Sequence, residues 1–136
     1  MHHYLSIFKD GKVLGVHRVG DRMVSVTYAL NGQRFMALNA GPAYQFNEAI
    51  SLFVDCDTQE GVDELWDKLS ARGSKDRCGC LKHKYGLSWQ IIPKALSRLM
   101  GDPDPKKSNA IFEAMLNMNK IMIAGLERAY DAAEAA

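Results

Sequence analysis

The chain has 136 residues, of which 47% are hydrophobic and 24% are charged, a composition typical of one soluble globular domain that builds its own core. Its net charge of +1 predicts no broad basic surface, which argues against nucleic acid and anionic membranes as partners. No apolar run reaches the ~20 residues of a membrane-spanning helix, and the N-terminus lacks the pattern of a signal peptide.

The first half of the chain predicts a short helical segment followed by strands. Apolar residues at positions 4, 5, 7 and 8 suit one face of a helix. Residues 13–19 and 23–30 have the composition of strands, and Asn31-Gly32 is a strong hairpin signal. Residues 33–39 are therefore the predicted antiparallel partner of the second strand. A fourth strand is predicted at residues 49–54, with one face packed in the core and the other facing a cavity.

The next segment predicts an amphipathic helix. Asp57 or Thr58 is placed to cap its N-terminus, and Gly73 is placed where a left-handed residue would end it. The residues that share its apolar face are Val62, Leu65, Trp66 and Leu69.

A hairpin and a helical tail are predicted after this helix. Residues 78–81 and 87–92 would form the two strands, joined by a turn at residues 83–86. Helices are predicted at residues 94–100 and 105–117 and from residue 123 onward. Strands outnumber helices and several connections are hairpins, so the predicted fold class is α+β.

Cysteine and glycine patterns argue against several kinds of chemistry. Neither glycine-rich phosphate-binding pattern occurs in the sequence. The three cysteines cannot all pair within one chain, which favours free thiols and a cytoplasmic protein. Cys78-Gly79-Cys80 is too closely spaced for an ordinary structural zinc site. A Cys78 nucleophile with His83 or His17 as base is conceivable, but a buried cysteine that packs as a small hydrophobe is commoner.

Polar residues on the predicted strands are more informative, because a polar side chain on an apolar sheet must be solvated, hydrogen-bonded or functional. Asn39 ends the third strand, Glu48 precedes the fourth, and Ser51 lies on it. Ser88 and Gln90 share one face of the last strand. These side chains either converge on one concave site or serve as loop caps and an exposed face, and strand alternation alone favours neither.

Several segments together closely resemble the PhnB-like proteins, a group within the vicinal-oxygen-chelate (glyoxalase/bleomycin-resistance) superfamily that is often labelled 3-demethylubiquinone 3-methyltransferase. These segments are residues 46–51, 78–79, 84–93, 114–118 and 123–130. The resemblance implies glyoxalase-like paired βαβββ modules around a cavity and a homodimer. Residues 1–93 would be the α+β domain and residues 94–136 its C-terminal helical extension.

The first strand and helix start expected in this family have no counterpart before Tyr4. The resemblance therefore predicts either a truncated reading frame or a partner chain that covers the exposed sheet edge. Cys80 stands where the family commonly has tryptophan.

Metal chemistry is not favoured by the residues at the family's ligand positions. Gln90 stands where metal-dependent members carry glutamate, and Ala49 or Ser51 where a histidine is expected. No cofactor and at most weak divalent-metal binding are predicted. Methyl transfer from S-adenosylmethionine is also not favoured, because no glycine-rich turn follows a first strand.

The leading hypothesis is a small-molecule-binding protein whose pocket residues are Asn39, Glu48, Ser51, Trp89 and Gln90. It would be an enzyme only if Glu48 acts as a base, with a pKa raised by partial desolvation. The alternatives are a non-catalytic, ligand-sequestering protein of the resistance type and a metal-dependent lyase or dioxygenase.

Overall fold

A computed structural model describes residues 2–135, which contain five helices and seven strands in two sheets. The chain divides into two compact units, residues 1–45 and residues 46–136. Helices and mostly antiparallel strands occur in both units, so the predicted α+β class is confirmed. Within the described residues no helix has the length and apolar character needed to cross a membrane.

The first unit is a helix followed by a three-stranded antiparallel sheet of order β1-β2-β3. Its elements are α1 (His2–Ile7), β1 (Lys12–Val19), β2 (Arg22–Leu30) and β3 (Gln33–Leu38). Asn31 and Gly32 connect β2 to β3 with φ angles of 50° and 77°, the left-handed pair that a tight hairpin requires. This confirms the predicted hairpin.

The buried side chains of the first unit come from its helix and from its central strand. Tyr4, Ile7 and Phe8 are buried at the helix, and Val26, Tyr28 and Leu30 are buried at alternate positions of β2. β1 is exposed along its whole length. Among residues 2–135 no strand pairs with the outer edge of β3.

The second unit contains a complete βαβββ module and three further helices. The module consists of β4 (Ser51–Cys56), α2 (Gln59–Ser70), β5 (Ser74–Lys75), β6 (Cys80–Lys82) and β7 (Ser88–Pro93). The helices are α3 (Lys94–Met100), α4 (Pro105–Leu116) and α5 (Ile123–Ala135). The sheet order is β4-β7-β6-β5, with β4 parallel to β7 and the other pairs antiparallel.

The two faces of this sheet are covered differently. Val54 and Cys56 of β4 and Trp89 and Ile91 of β7 are buried, and strand alternation puts them on one face. α2 contacts β4, β6 and β7 and contributes the buried side chains Val62, Trp66 and Leu69. Its N-terminus is capped by Thr58, whose hydroxyl accepts a hydrogen bond from the amide of Gly61 at 3.1 Å.

The C-terminal helices cover part of the opposite face. Their apolar core consists of Ile92, Leu96, Leu99, Ile111, Ile121 and Leu126. The loop before β6 is tied to the connection between α4 and α5 by two hydrogen bonds, from the Cys78 amide to the Met118 carbonyl (2.8 Å) and from the Gly79 amide to the Asn119 carbonyl (2.7 Å). Ile92 belongs to this core, whereas Gln90 lies one step along the same face and is only partly buried.

Two strands start two residues later than the sequence predicts. β4 begins at Ser51 rather than residue 49, because the Asn47 side chain accepts a hydrogen bond from the Ala49 amide and holds a turn there. β6 begins at Cys80 rather than residue 78, because Cys78 and Gly79 have φ angles of 58° and 78°, which no strand residue adopts.

The prediction that Gly73 is the left-handed residue after α2 is wrong. The residue with a left-handed backbone is Arg72, with φ 58°. Gly73 is needed for a different reason, since a β-carbon at this position would collide with the carbonyl oxygen of Lys82. The connection from α2 to β5 therefore lies directly against the end of β6.

Candidate functional site

A cleft of about 240 Å³ opens on the face of the second sheet that α2 does not cover. The polar side chains that carry its chemistry are Glu48, Ser51, Cys80, Lys82, Ser88 and Gln90. All of them belong to the second unit. Four of the five residues predicted to form a pocket, Glu48, Ser51, Trp89 and Gln90, line this cleft.

Strand register explains why these side chains meet. Ser51 of β4 is paired with Ser88 of β7, and Lys82 of β6 is paired with the same serine from the other side. Cys80 is paired with Gln90 one step along the hairpin. Directly paired residues and those two positions away share a sheet face. Three neighbouring strands thus present hydroxyl, amine, thiol and amide groups to the cleft.

Gln90 and Ser51 form the most closely defined polar contact of the cleft. The Gln90 side-chain amide donates a hydrogen bond to the Ser51 hydroxyl oxygen at 2.7 Å. This contact leaves the Gln90 carbonyl oxygen as an acceptor and the Ser51 hydroxyl proton as a donor. The pair is neutral and can bind a polar group that both donates and accepts.

Glu48 stands in the turn before β4, and its carboxylate accepts a hydrogen bond from the Lys82 ammonium group in an ion pair. The hydrogen bond from Lys82 lowers the pKa of Glu48 below its ordinary value. The side chain of Glu48 is 68% exposed. The expectation of a raised pKa is therefore wrong, because it assumed a desolvated carboxyl and the structure has a solvated one beside a cation.

Trp89 and Asn39 differ from the other predicted pocket residues. Trp89 contributes to the cleft lining but is only 2% exposed, and alternation directs its indole to the α2 face. Asn39 follows β3 in the first unit, where its backbone amide donates to the Val24 carbonyl at 2.8 Å. Binding roles for these two residues stay predictions.

Lys82 is the functional candidate that sequence reasoning missed. The predicted hairpin could have indicated this residue. In a hairpin, paired residues lie on one sheet face, and residue 82 then lies on the face that also carries residue 80, Ser88 and Gln90. The predicted site contains only neutral and acidic side chains. The hairpin register adds a cation to the cleft.

The donor groups of the cleft do not form the set of His and carboxylate ligands that a divalent metal site uses. Gln90 and Ser51 offer only neutral oxygens, the Ser51 oxygen already accepts a hydrogen bond from the Gln90 side-chain nitrogen, and the Glu48 carboxylate is bound to Lys82. Across residues 2–135 no three His, Cys, Asp or Glu side chains are grouped as a metal site requires.

Burial sets the reactivity of the Cys56 thiol, which lies under α2. Burial, with a smaller contribution from Asp55 and Asp57, raises the pKa of Cys56 to about 11 from 9.0. The raised value favours the protonated thiol, so ionisation lowers the stability of the folded chain as pH rises from about 9 toward 11.

We expect Cys56 to react with a disulfide reagent at pH 8 about 100-fold more slowly in the folded chain than in denaturant, since two pKa units reduce the thiolate fraction by that factor. The variant Cys78→Ser/Cys80→Ser isolates this thiol, and the absorbance of the released thiolate measures the rate. Equal rates in the folded and unfolded states would contradict the burial of Cys56.

Comparison with known proteins identifies the family. The family model described as 3-demethylubiquinone-9 3-methyltransferase matches residues 1–92, about two thirds of the chain. The chain belongs to the 3-demethylubiquinone-9 3-methyltransferase family. The resemblance to PhnB-like proteins that the sequence indicated is thereby confirmed. No curated protein matches the chain.

Among the solved structures that resemble this family member are the following two. One is the PhnB protein of Bacillus cereus, a proposed 3-demethylubiquinone-9 3-methyltransferase, with 28% identity and a TM-score of 0.63. The match covers 68% of this chain and 87% of that chain. Protein PA1353 of Pseudomonas aeruginosa has 16% identity and a TM-score of 0.54, over 68% of this chain and 82% of that chain. The second likeness concerns the fold alone.

Proposed function

We propose that this family member binds a small organic molecule in the cleft of its second sheet. The observation that carries the proposal is the hydrogen-bonded pair of Gln90 and Ser51. These polar groups lie on a sheet face that the C-terminal helices cover at Ile92 but leave open at Gln90. A polar pair in a cleft of this kind is the usual means by which a largely apolar site orients a ligand.

The ligand class that best suits these groups is an aromatic ring with adjacent oxygen substituents. The family name refers to demethylated ubiquinone, whose ring carries neighbouring oxygens. A Gln90 carbonyl that accepts and a Ser51 hydroxyl that donates match two such oxygens. Phe53 is paired with Gln90 in register and is 56% exposed, so it offers an aromatic surface beside them. Membership of the vicinal-oxygen-chelate superfamily is part of this proposal.

Binding without turnover is favoured over catalysis by Glu48. A general base must have a free carboxylate within reach of the proton that it removes, and the Glu48 carboxylate is engaged by Lys82. Sequestration of the ligand is therefore the first candidate activity. Methyl transfer and metal-dependent lyase or dioxygenase chemistry are alternatives. Homodimerisation and a cytoplasmic location are further proposals that rest on the sequence.

We expect catechol, with adjacent hydroxyls, to bind more tightly than resorcinol, whose hydroxyls are not adjacent. Isothermal titration calorimetry of the full chain measures both. The variant Gln90→Leu should weaken catechol binding about tenfold, since a lost hydrogen bond costs on the order of 1.4 kcal/mol.

Gln33→Leu is the matched control, because Gln33 is an exposed residue in the first unit and should leave binding unchanged. Equal affinity for the two phenols, or equal effects of the two variants, would refute the proposed site. Incubation of chain and catechol with S-adenosylmethionine tests methyl transfer, since a methylated product identifies a transferase and unchanged catechol contradicts that alternative.

A further inference from the structure

Lys82 occupies a central position on the open sheet face. It lies on β6, paired with Ser88 of β7 on one side and with Ser74 of β5 on the other. All three residues line the cleft. The lysine therefore lies between two serines on neighbouring strands of the same sheet face. A cation flanked by hydroxyl donors is a suitable arrangement for binding an oxygen anion.

The carboxylate that Lys82 binds comes from outside the sheet. Glu48 belongs to the turn held by Asn47, and its side chain is far more exposed than that of Lys82. Solvent-exposed ion pairs contribute little net stability. A ligand anion can therefore displace Glu48 without a large loss of protein stability.

Lys82 is the cation that the cleft offers to an anion once Glu48 moves away. The charged side chains of the lining are Glu48, Lys75, Asp76 and Lys82, two of each sign. Asp76 accepts a hydrogen bond from the amide of Arg77 at 2.7 Å, which holds its carboxylate in the local turn. Lys75 is paired with the buried Leu81, so alternation directs its side chain to the α2 face and away from the cleft.

We infer that Lys82 recognises an acidic group of the ligand, and that the Glu48 carboxylate occupies the place of that group in the empty cleft. The inference rests on the proposed binding function and names its ligand class as a small aromatic acid. The lowered pKa of Glu48 means that this carboxylate is ionised at neutral pH and competes with the ligand there.

The test compares two ligands that differ in charge but hardly in shape, 3,4-dihydroxybenzoate and 3,4-dihydroxybenzamide, by calorimetry with the full chain at pH 7. Lys82→Met should weaken benzoate binding about tenfold or more, because a charge-assisted hydrogen bond is lost, and should change benzamide binding less than about twofold. Glu48→Gln should strengthen benzoate binding severalfold, because it removes the competing carboxylate.

Lys68 and Glu64 provide matched controls, since they form an exposed ion pair on α2 with an N–O distance of 2.6 Å. Lys68→Met and Glu64→Gln should leave both affinities unchanged, and thermal unfolding checks that every variant folds. If both ligands bind wild type equally and Lys82→Met affects neither, the inference is overturned while the binding function stands. Weaker benzoate binding in Glu48→Gln would also overturn it. If neither ligand binds, the proposed function and the inference fail together.

Discussion

Replacement of Gly73 by alanine is expected to lower the free energy of unfolding by about 3 kcal/mol or more, because overpacking against groups that cannot yield is costly. A β-carbon at Gly73 would overlap the Lys82 carbonyl oxygen and lie 3.1 Å from the His83 carbonyl carbon. Both contacts are with backbone, so no side-chain rotation relieves them. Urea denaturation followed by circular dichroism measures the loss.

Gly61→Ala is the matched control in the same unit. Its β-carbon would meet only the Thr58 hydroxyl at 3.5 Å and the Cys56 β-carbon at 3.9 Å, which are ordinary contacts. Because Gly61 lies in α2, alanine should stabilise the chain by roughly 0.5–1 kcal/mol. A Gly73→Ala variant as stable as wild type would show that the α2–β5 connection does not lie against β6.

The Gly73→Ala variant also tests whether the position of β6 affects ligand binding in the cleft. The carbonyl with which alanine would collide belongs to Lys82, the residue that pairs with Glu48. A shift of β6 that relieves the collision must move the Lys82 backbone as well. Where this variant still folds, we therefore expect weaker binding of 3,4-dihydroxybenzoate than in Gly61→Ala.

Much of the second sheet could be predicted from local patterns. Alternation of polar and apolar residues correctly put Ser88 and Gln90 on one face, and the hairpin of β6 and β7 followed from the turn between them. The start of β4 could not be predicted in the same way. Residues 49 and 50 have strand composition, but the Asn47 side chain holds the preceding backbone in a turn, and this hydrogen bond competes with strand pairing.

Two features of the site depend on contacts between distant parts of the chain. Glu48 and Lys82 are separated by 34 positions. Their ion pair lowers the pKa of the Glu48 carboxyl, whereas the sequence alone predicts a raised value. Gly73 has the spacing of a helix-ending glycine, but the close approach of β6 determines its role. Sequence periodicity predicts which face of a strand or helix a residue lies on. It does not predict which charged side chain or backbone group from a distant part of the chain contacts that residue.

Leu126→Ala should lower the free energy of unfolding by about 2–5 kcal/mol, the range for truncating a buried leucine. Leu126 is fully buried in the core that α3, α4 and α5 form with Ile92 of β7. Apart from Ile92, the residues of this core lie beyond residues 1–92, which the family model matches. If α3, α4 and α5 fold as one unit with the second sheet, the packing lost in Leu126→Ala must destabilise the sheet as well.

Leu116→Ala is the control, because Leu116 in α4 is 38% exposed and should lose less than about 1 kcal/mol. Two signals distinguish a single cooperative unit from a separable tail, namely helix content by circular dichroism and tryptophan fluorescence, since both tryptophans, Trp66 of α2 and Trp89 of β7, lie in the βαβββ module. In a cooperative unit both transitions shift together to lower urea concentration in Leu126→Ala. A shift of the helical signal alone would mean that residues 94–136 unfold independently, and the predicted extension would then not belong to the same domain.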